Sequence, residues 1–144
     1  MEKIKISSSA KEYLLVDEND NELGVIRVDV TDFDFFNRAK EAEKNITEIM
    51  KRMEQLQGEH VKTEEAFEQL AVCDREIKEQ LNDMFDYDVS SVVFGNKNCL
   101  SIGDGETFVA RFMKAVLPAI KKDIEKEQKK SLQKMSKYTK GYAK

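Results

Sequence analysis

Two clusters of carboxylates have the spacing to do chemistry. Asp17-Glu18-Asn19-Asp20-Asn21-Glu22 sets side-chain oxygens at alternate positions, as the first half of a Ca²⁺-binding loop does. A complete loop needs a glycine at its sharp turn and a bidentate glutamate at its end. Glu22 occupies the first of those positions and Val28 the second, so the segment reads as a solvated turn. Asp83, Asp86 and Asp88 form the other cluster. Grouped carboxylates hold a divalent ion or move protons when further ligands complete the site. No His, Cys or phosphate-binding loop stands beside these three, and an exposed acidic helix end is the simpler reading.

The remaining reactive residue types are scarce. His60 is the single histidine, close to Gly58 in an expected interhelical loop, where its imidazole is solvated. Cys73 and Cys99 are far apart and form neither a C-x-x-C pair nor a disulfide framework. They read as buried or incidental thiols in a reducing compartment, with metal binding by these two alone disfavoured. The chain has no Ser-His-Asp set with motif support, no G-x-x-x-x-G-K-[ST] and no H-E-x-x-H. The expectation is a non-catalytic protein without cofactor or metal.

What the chain does carry is charge and apolar surface. Charged residues make up 36% of its 144 residues and hydrophobic ones 40%, enough for one modest core under long solvated helix faces. The formal net charge is −4, yet residues 121–144 hold nine lysines against Asp123, Glu125 and Glu127. That segment is therefore +6 and the remainder −10, an imbalance that suits an acidic partner, self-association or nucleic acid. Phosphate contact through the lysines, with Tyr138 and Tyr142 stacking on bases, is the nucleic-acid version. The tail has no Arg and no recognised nucleic-acid fold surrounds it, so a solvated helix face or an arm for an acidic protein is favoured. The N-terminus lacks an apolar signal-peptide core, and no apolar run approaches the ~20 residues that span a bilayer. A cytoplasmic protein without membrane contact is expected.

The elements that would position these residues follow from hydrophobic period. Glu12–Val16 and Gly24–Val28 are apolar, partly β-branched runs separated by the acidic turn, and so predict a hairpin. A lone hairpin is marginal in water. It must pack on helices, recruit Lys3-Ile4-Lys5-Ile6 as a further strand, or pair with another chain. Thr31 or Asp32 can cap a helix in which Phe35, Ala39, Ala42, Ile46, Ile49, Met53 and Leu56 form an unbroken heptad seam. That seam serves either internal packing or an oligomer interface. A second helix opens at Thr63 and carries Phe67, Leu70, Cys73, Ile77, Leu81 and Met84. Residues 89–105 predict a connector with Val92-Val93-Phe94 extended. A third helix, capped by Asp104 or Thr107, carries Phe108, Phe112, Val116, Ala119, Ile120 and Ile124, with Pro118 as a source of bending. Beyond Ile124 little remains to bury, and the tail is expected to fray. The fold class is α+β, mainly α: an N-terminal hairpin or small sheet on about three helices. Residues 1–124 form one domain and 125–144 a basic helical or flexible arm.

The stretch Val28-Asp29-Val30-Thr31-Asp32-Phe33, followed by Phe36-Asn37-Arg38, resembles the entry to the long charged helix of phage tail assembly chaperones from long-tailed siphophages. Ile77–Leu81 through Phe85-Asp86, then Val92-Val93-Phe94-Gly95-Asn96, is similar to the region where a helix of that family leads into an "FG" turn. The Lys-rich end after the last helix also fits. The resemblance covers roughly residues 13–142 through soft motifs. It implies a non-catalytic protein that coats the aggregation-prone tape measure protein and is displaced when tail tube subunits polymerise. It also implies self-association into arrays, contact with the major tail protein, and a place in the bacterial host cytoplasm. On this reading Phe35, Ile46, Ile49 and Met53 carry binding or self-packing, and Lys129, Lys130 and Tyr138 belong to an arm that supports assembly. The alternatives are a phage structural or adaptor protein, such as a head–tail connector component, and a nucleic-acid-binding regulator acting through the Lys-rich tail.

Overall fold

The computed structural model describes residues 1–57 and 63–142. Gly58 and His60 lie outside the described residues, as do the side chains of Leu56, Lys140 and Tyr142 and all of Lys144. β1 (Ala10–Val16) and β2 (Glu22–Asp29) form the expected antiparallel hairpin, with Tyr13 opposite Ile26 and Leu14 opposite Val25. Alternation divides the hairpin into two faces. Ile26 and Val28 are buried on the inner face beside part-buried Tyr13 and Leu15, while Leu14, Val16 and Val25 stay exposed on the other. Residues 3–6 add no strand to the hairpin, and Ile4 and Ile6 are exposed.

α1 (Phe35–Gln57) and α2 (Thr63–Phe85) pack antiparallel. Three contacts set their register: Arg38 Nε donates to the Met84 carbonyl at 3.1 Å, Asn45 Nδ2 donates to Gln80 Oε1 at 2.9 Å, and Arg52 pairs with Glu76. The entry to α1 differs from expectation. Neither Thr31 nor Asp32 caps the helix through its side chain. The Asp34 carbonyl accepts from Arg38 N, Thr31 Oγ1 donates to Asp29, and the Asp32 carboxylate accepts from Asp34 N and holds Arg38 at 2.6 Å. Asp32 thus braces the turn before the helix instead of its first N–H groups.

The connector after α2 is the main correction. Val92-Val93-Phe94 is not extended, because residues Val89–Phe94 form a short helix, α3. Asp86 turns the chain at a positive φ of 61°. The Asp88 carboxylate then caps α3 by accepting from Ser91 N, and Gly95 ends it at φ 58°. Val89, Val93 and Phe94 are buried, a helical spacing that outweighs their β propensity. A two-residue ladder follows, β3 (Ile102–Gly103) with β4 (Glu106–Thr107), closed by Asp104 and Gly105.

α4 runs from Phe108 to Tyr142. Its cap is Thr107, whose Oγ1 accepts from Ala110 N at 3.2 Å. Val109, Phe112, Val116, Ile120 and Ile124 are buried, while Ala119 and Pro118 face outward. The helix continues through Pro118 and across Ile124–Glu125 to Tyr142, so the arm is helical up to that residue. The composition accounts for this, since Lys, Glu, Gln, Leu and Met dominate residues 125–137 and all favour helix. A relay of rings ties the helices together: Phe35 to Phe85 at 5.4 Å, Phe85 to Phe112 at 6.1 Å, Phe112 to Phe94 at 6.0 Å and Phe94 to Phe108 at 4.8 Å.

Candidate partner-binding surfaces

The heptad seam of α1 closes inside the chain. Phe35, Ile46 and Ile49 are 1%, 7% and 6% exposed, and Met53 is part-buried against the same core. The reason is that α2 carries a matching stripe, Cys73, Ile77, Leu81 and Met84, all of it buried. Ala39 and Ala42 let the two backbones approach. In this conformation these seam residues pack inside the fold, which is the internal-packing use among the two that the sequence left open. Cys73 and Cys99 are both free and buried, and burial pushes the Cys99 thiol well above its ordinary pKa.

One carboxylate of each cluster works as a local brace. Asp17 Oδ1 accepts from Asn19 N at 2.8 Å and from Asn21 N at 2.9 Å, and these bonds lower its pKa. Asp88 accepts from the hydroxyls of Ser91 and Ser90, from Ser91 N and from Asn82 Nδ2, with Ser91 the chief cause of its lowered pKa, while Ser90 N donates to Asn82 Oδ1. Asp17 and Asp88 thus spend their oxygens on the turns that they close. Among the described residues no group of three or more His, Cys, Asp or Glu is placed to hold a metal ion.

Models of protein families, curated proteins and solved structures show no match to this chain. Its surfaces are therefore read from their own chemistry.

The distal half of α4 is one of them. Beyond Ile124, Leu132, Met135 and Tyr138 are 60%, 64% and 68% exposed. They recur at a spacing of three residues, which puts them along one side of the helix. Lys126, Lys129, Lys130, Lys134 and Lys137 surround them. The 18 residues from Glu125 to Tyr142 extend about 27 Å at the usual helical rise. Lys129, Lys130 and Tyr138, expected on an arm, do lie on this exposed segment.

The second surface is the hairpin, for which the sequence left pairing with another chain open beside packing on helices. Leu14, Val16, Leu23 and Val25 are about half exposed. Beside them, Leu15, Val93, Phe108 and Phe112 line an open groove of about 410 Å³ that also includes Arg111. The Arg111 guanidinium lies 5.1 Å from the Phe108 ring centre, and its Nε is buried without a hydrogen-bond partner. The signal was present in the sequence. Tyr13-Leu14-Leu15-Val16 is apolar on both faces, as in strands covered on both sides. The described residues cover only one.

No described helix is long and apolar enough to cross a membrane.

Proposed function

We propose that this protein is a phage tail assembly chaperone, which binds the tape measure protein in the host cytoplasm and keeps it from aggregating until the tail tube forms. The observation that carries the reading is the distal half of α4. It presents an apolar stripe of Leu132, Met135 and Tyr138 flanked by lysines on a continuous helix. A long partner helix exposes just the apolar stripe that such a surface can cover, and acidic positions on that helix would meet the lysines. The likeness of residues 28–38 and 77–96 to that family supplies the choice of partner.

The deciding experiment co-expresses the chain with a candidate tape measure protein and measures scattering mass across size-exclusion fractions. Co-elution, with the partner moved from the pellet to the supernatant, supports the reading. A partner that stays insoluble, or that elutes apart from this chain, overturns it.

A further inference from the structure

We infer that two copies of this chain pair antiparallel through β1, with residues 4 and 6 of each copy laid beside Leu14 and Val16 of the other. This reading is independent of the tape measure partner. It starts from an asymmetry between the two edges of the hairpin. The β2 edge is covered: Arg27 N donates to the Tyr87 hydroxyl at 2.9 Å, and α3 packs so close that a Cβ on Gly24 would lie 2.7 Å from Val92 Cγ1. Among the described residues nothing pairs with the β1 edge. An uncovered edge with apolar flanks is a template for another strand.

The hydrogen-bond register shows which groups that edge offers. Val30 N donates to the Ser9 carbonyl, so odd-numbered residues of β1 turn their N–H and C=O toward β2. Arg27, which pairs with Glu12, points away from β1 to Tyr87, as this alternation requires. Ala10, Glu12 and Leu14 therefore direct their backbone groups outward.

The chain also carries a segment with the pattern of a strand that forms none within the hairpin. Lys3-Ile4-Lys5-Ile6 alternates charged and apolar residues at period two, and Ile4 and Ile6 are 83% and 89% exposed. Ser9 continues the line of β1, so residues 3–16 can run as one long strand. Pairing that strand with its own symmetry mate restricts the register. Outward-pointing even residues must face even residues, so allowed registers differ by two. One register sets Ile6 opposite Leu14 and Ile4 opposite Val16, with Ala10 on the two-fold axis. It also sets Lys3 opposite Asp17, uniting the basic start of the chain with the acidic turn. Slipping by two residues in either direction places an isoleucine opposite Glu12 or Glu18. Side-chain chemistry thus selects a single arrangement, an isologous dimer with a continuous four-stranded sheet.

The test uses full-length protein and light scattering coupled to size exclusion. The expected masses are two chains for the native sequence and one chain for both the Ile4→Asp/Ile6→Asp double variant and Glu12→Pro. Proline at position 12 removes only an outward N–H that the hairpin does not use, and circular dichroism verifies that each variant is folded. Ala10→Cys reports the register, because opposed residues in a hydrogen-bonded pair lie about 5.5 Å apart, within disulfide reach. Mild oxidation is expected to link Ala10→Cys to itself, whereas Glu12→Cys links to Ser8→Cys in a mixture and not to itself. A monomeric native chain, a dimer that survives either edge variant, or self-linking at position 12 in preference to position 10 overturns the arrangement.

Discussion

The Tyr13 hydroxyl donates to Asp123 Oδ2 at 2.6 Å, and Lys11 Nζ reaches the same oxygen at 2.7 Å. One carboxylate on α4 thus ties down β1, whose outer edge pairs with no strand among the described residues. Burial and then Asp123 push the Tyr13 pKa up, while Lys11 and then Tyr13 hold Asp123 below the usual carboxylate range, with Lys126 adding in the same direction.

These opposite shifts define a pH window. The lowered Asp123 pKa contributes stability that is present above its unfolded value near pH 4 and is lost as pH falls through the folded one. The raised Tyr13 pKa contributes stability that is present below about pH 10 and is lost as pH rises past it. Tyr13→Phe should lower stability at pH 7 by about 1 kcal/mol, or roughly 3 °C in Tm, and should flatten the alkaline limb while only reducing the acid one, because Lys11 still holds Asp123. Denaturant titrations from acid to alkaline pH check this. An unchanged alkaline limb would show that the phenol does not hold the hairpin to α4.

Gly24 adopts φ 154°, and a Cβ there would sit 2.7 Å from Val92 Cγ1 and 3.3 Å from the Val92 carbonyl oxygen. A side chain must push α3 off the β2 edge. Gly24→Ala should cost about 1–3 kcal/mol, with faster hydrogen exchange at Arg27 N as the Tyr87 contact loosens. Stability equal to the native chain would mean that α3 is not anchored through this contact.

The legible parts of the fold are those governed by local period. Phe35 through Met53 declared the α1 seam, and the acidic turn at 17–22 declared the hairpin, because each pattern lies within one element. The destination of the seam was not legible, since only the fold brings the α2 stripe of Ile77, Leu81 and Met84 against it. α3 was missed because Val92 and Val93 favour strands. Its cause is a cap, Asp88 accepting from Ser91, whose effect depends on burying Val89 and Phe94. The candidate surfaces were half legible. Lys129, Lys130 and Tyr138 were placed on an exposed arm, whereas the bare face of Leu14 and Val25 appears only once the helices are known to cover the other side.

Core and surface roles separate by substitution. Ile46→Ala empties a site that is 7% exposed and should cost about 2–4 kcal/mol. Met135→Ala, on the arm, should stay within about 0.5 kcal/mol of the native chain. The proposed chaperone role predicts the reverse order for partner binding measured on folded protein, with Met135→Ala weakening it and Ile46→Ala leaving it near native below its melting temperature. Thermal melts and pull-down of the tape measure protein give the two readouts. Equal binding by Met135→Ala and the native chain would remove the arm from the interface.

The lysines of the arm make the last distinction, between attraction by charge and capture by apolar contact. Lys129 and Lys130 stand on a helix face exposed to solvent, with Lys126 and Gln133 nearby around an open depression. Exposed charges at such a site each contribute up to about 1 kcal/mol and act over a Debye length of about 10 Å at 0.1 M salt. Lys129→Glu/Lys130→Glu should therefore weaken binding of an acidic partner about five- to tenfold at low salt, roughly 1–1.4 kcal/mol. The deficit should shrink as salt approaches about 1 M, where the screening length falls to about 3 Å. Met135→Asp should instead weaken binding at every salt concentration, because it removes apolar contact that salt does not screen. Titrations of both variants across that salt range separate the two contributions. A charge-reversal deficit that persists undiminished at high salt would show that the lysines act by packing their stems or by holding the helix, and not by long-range attraction.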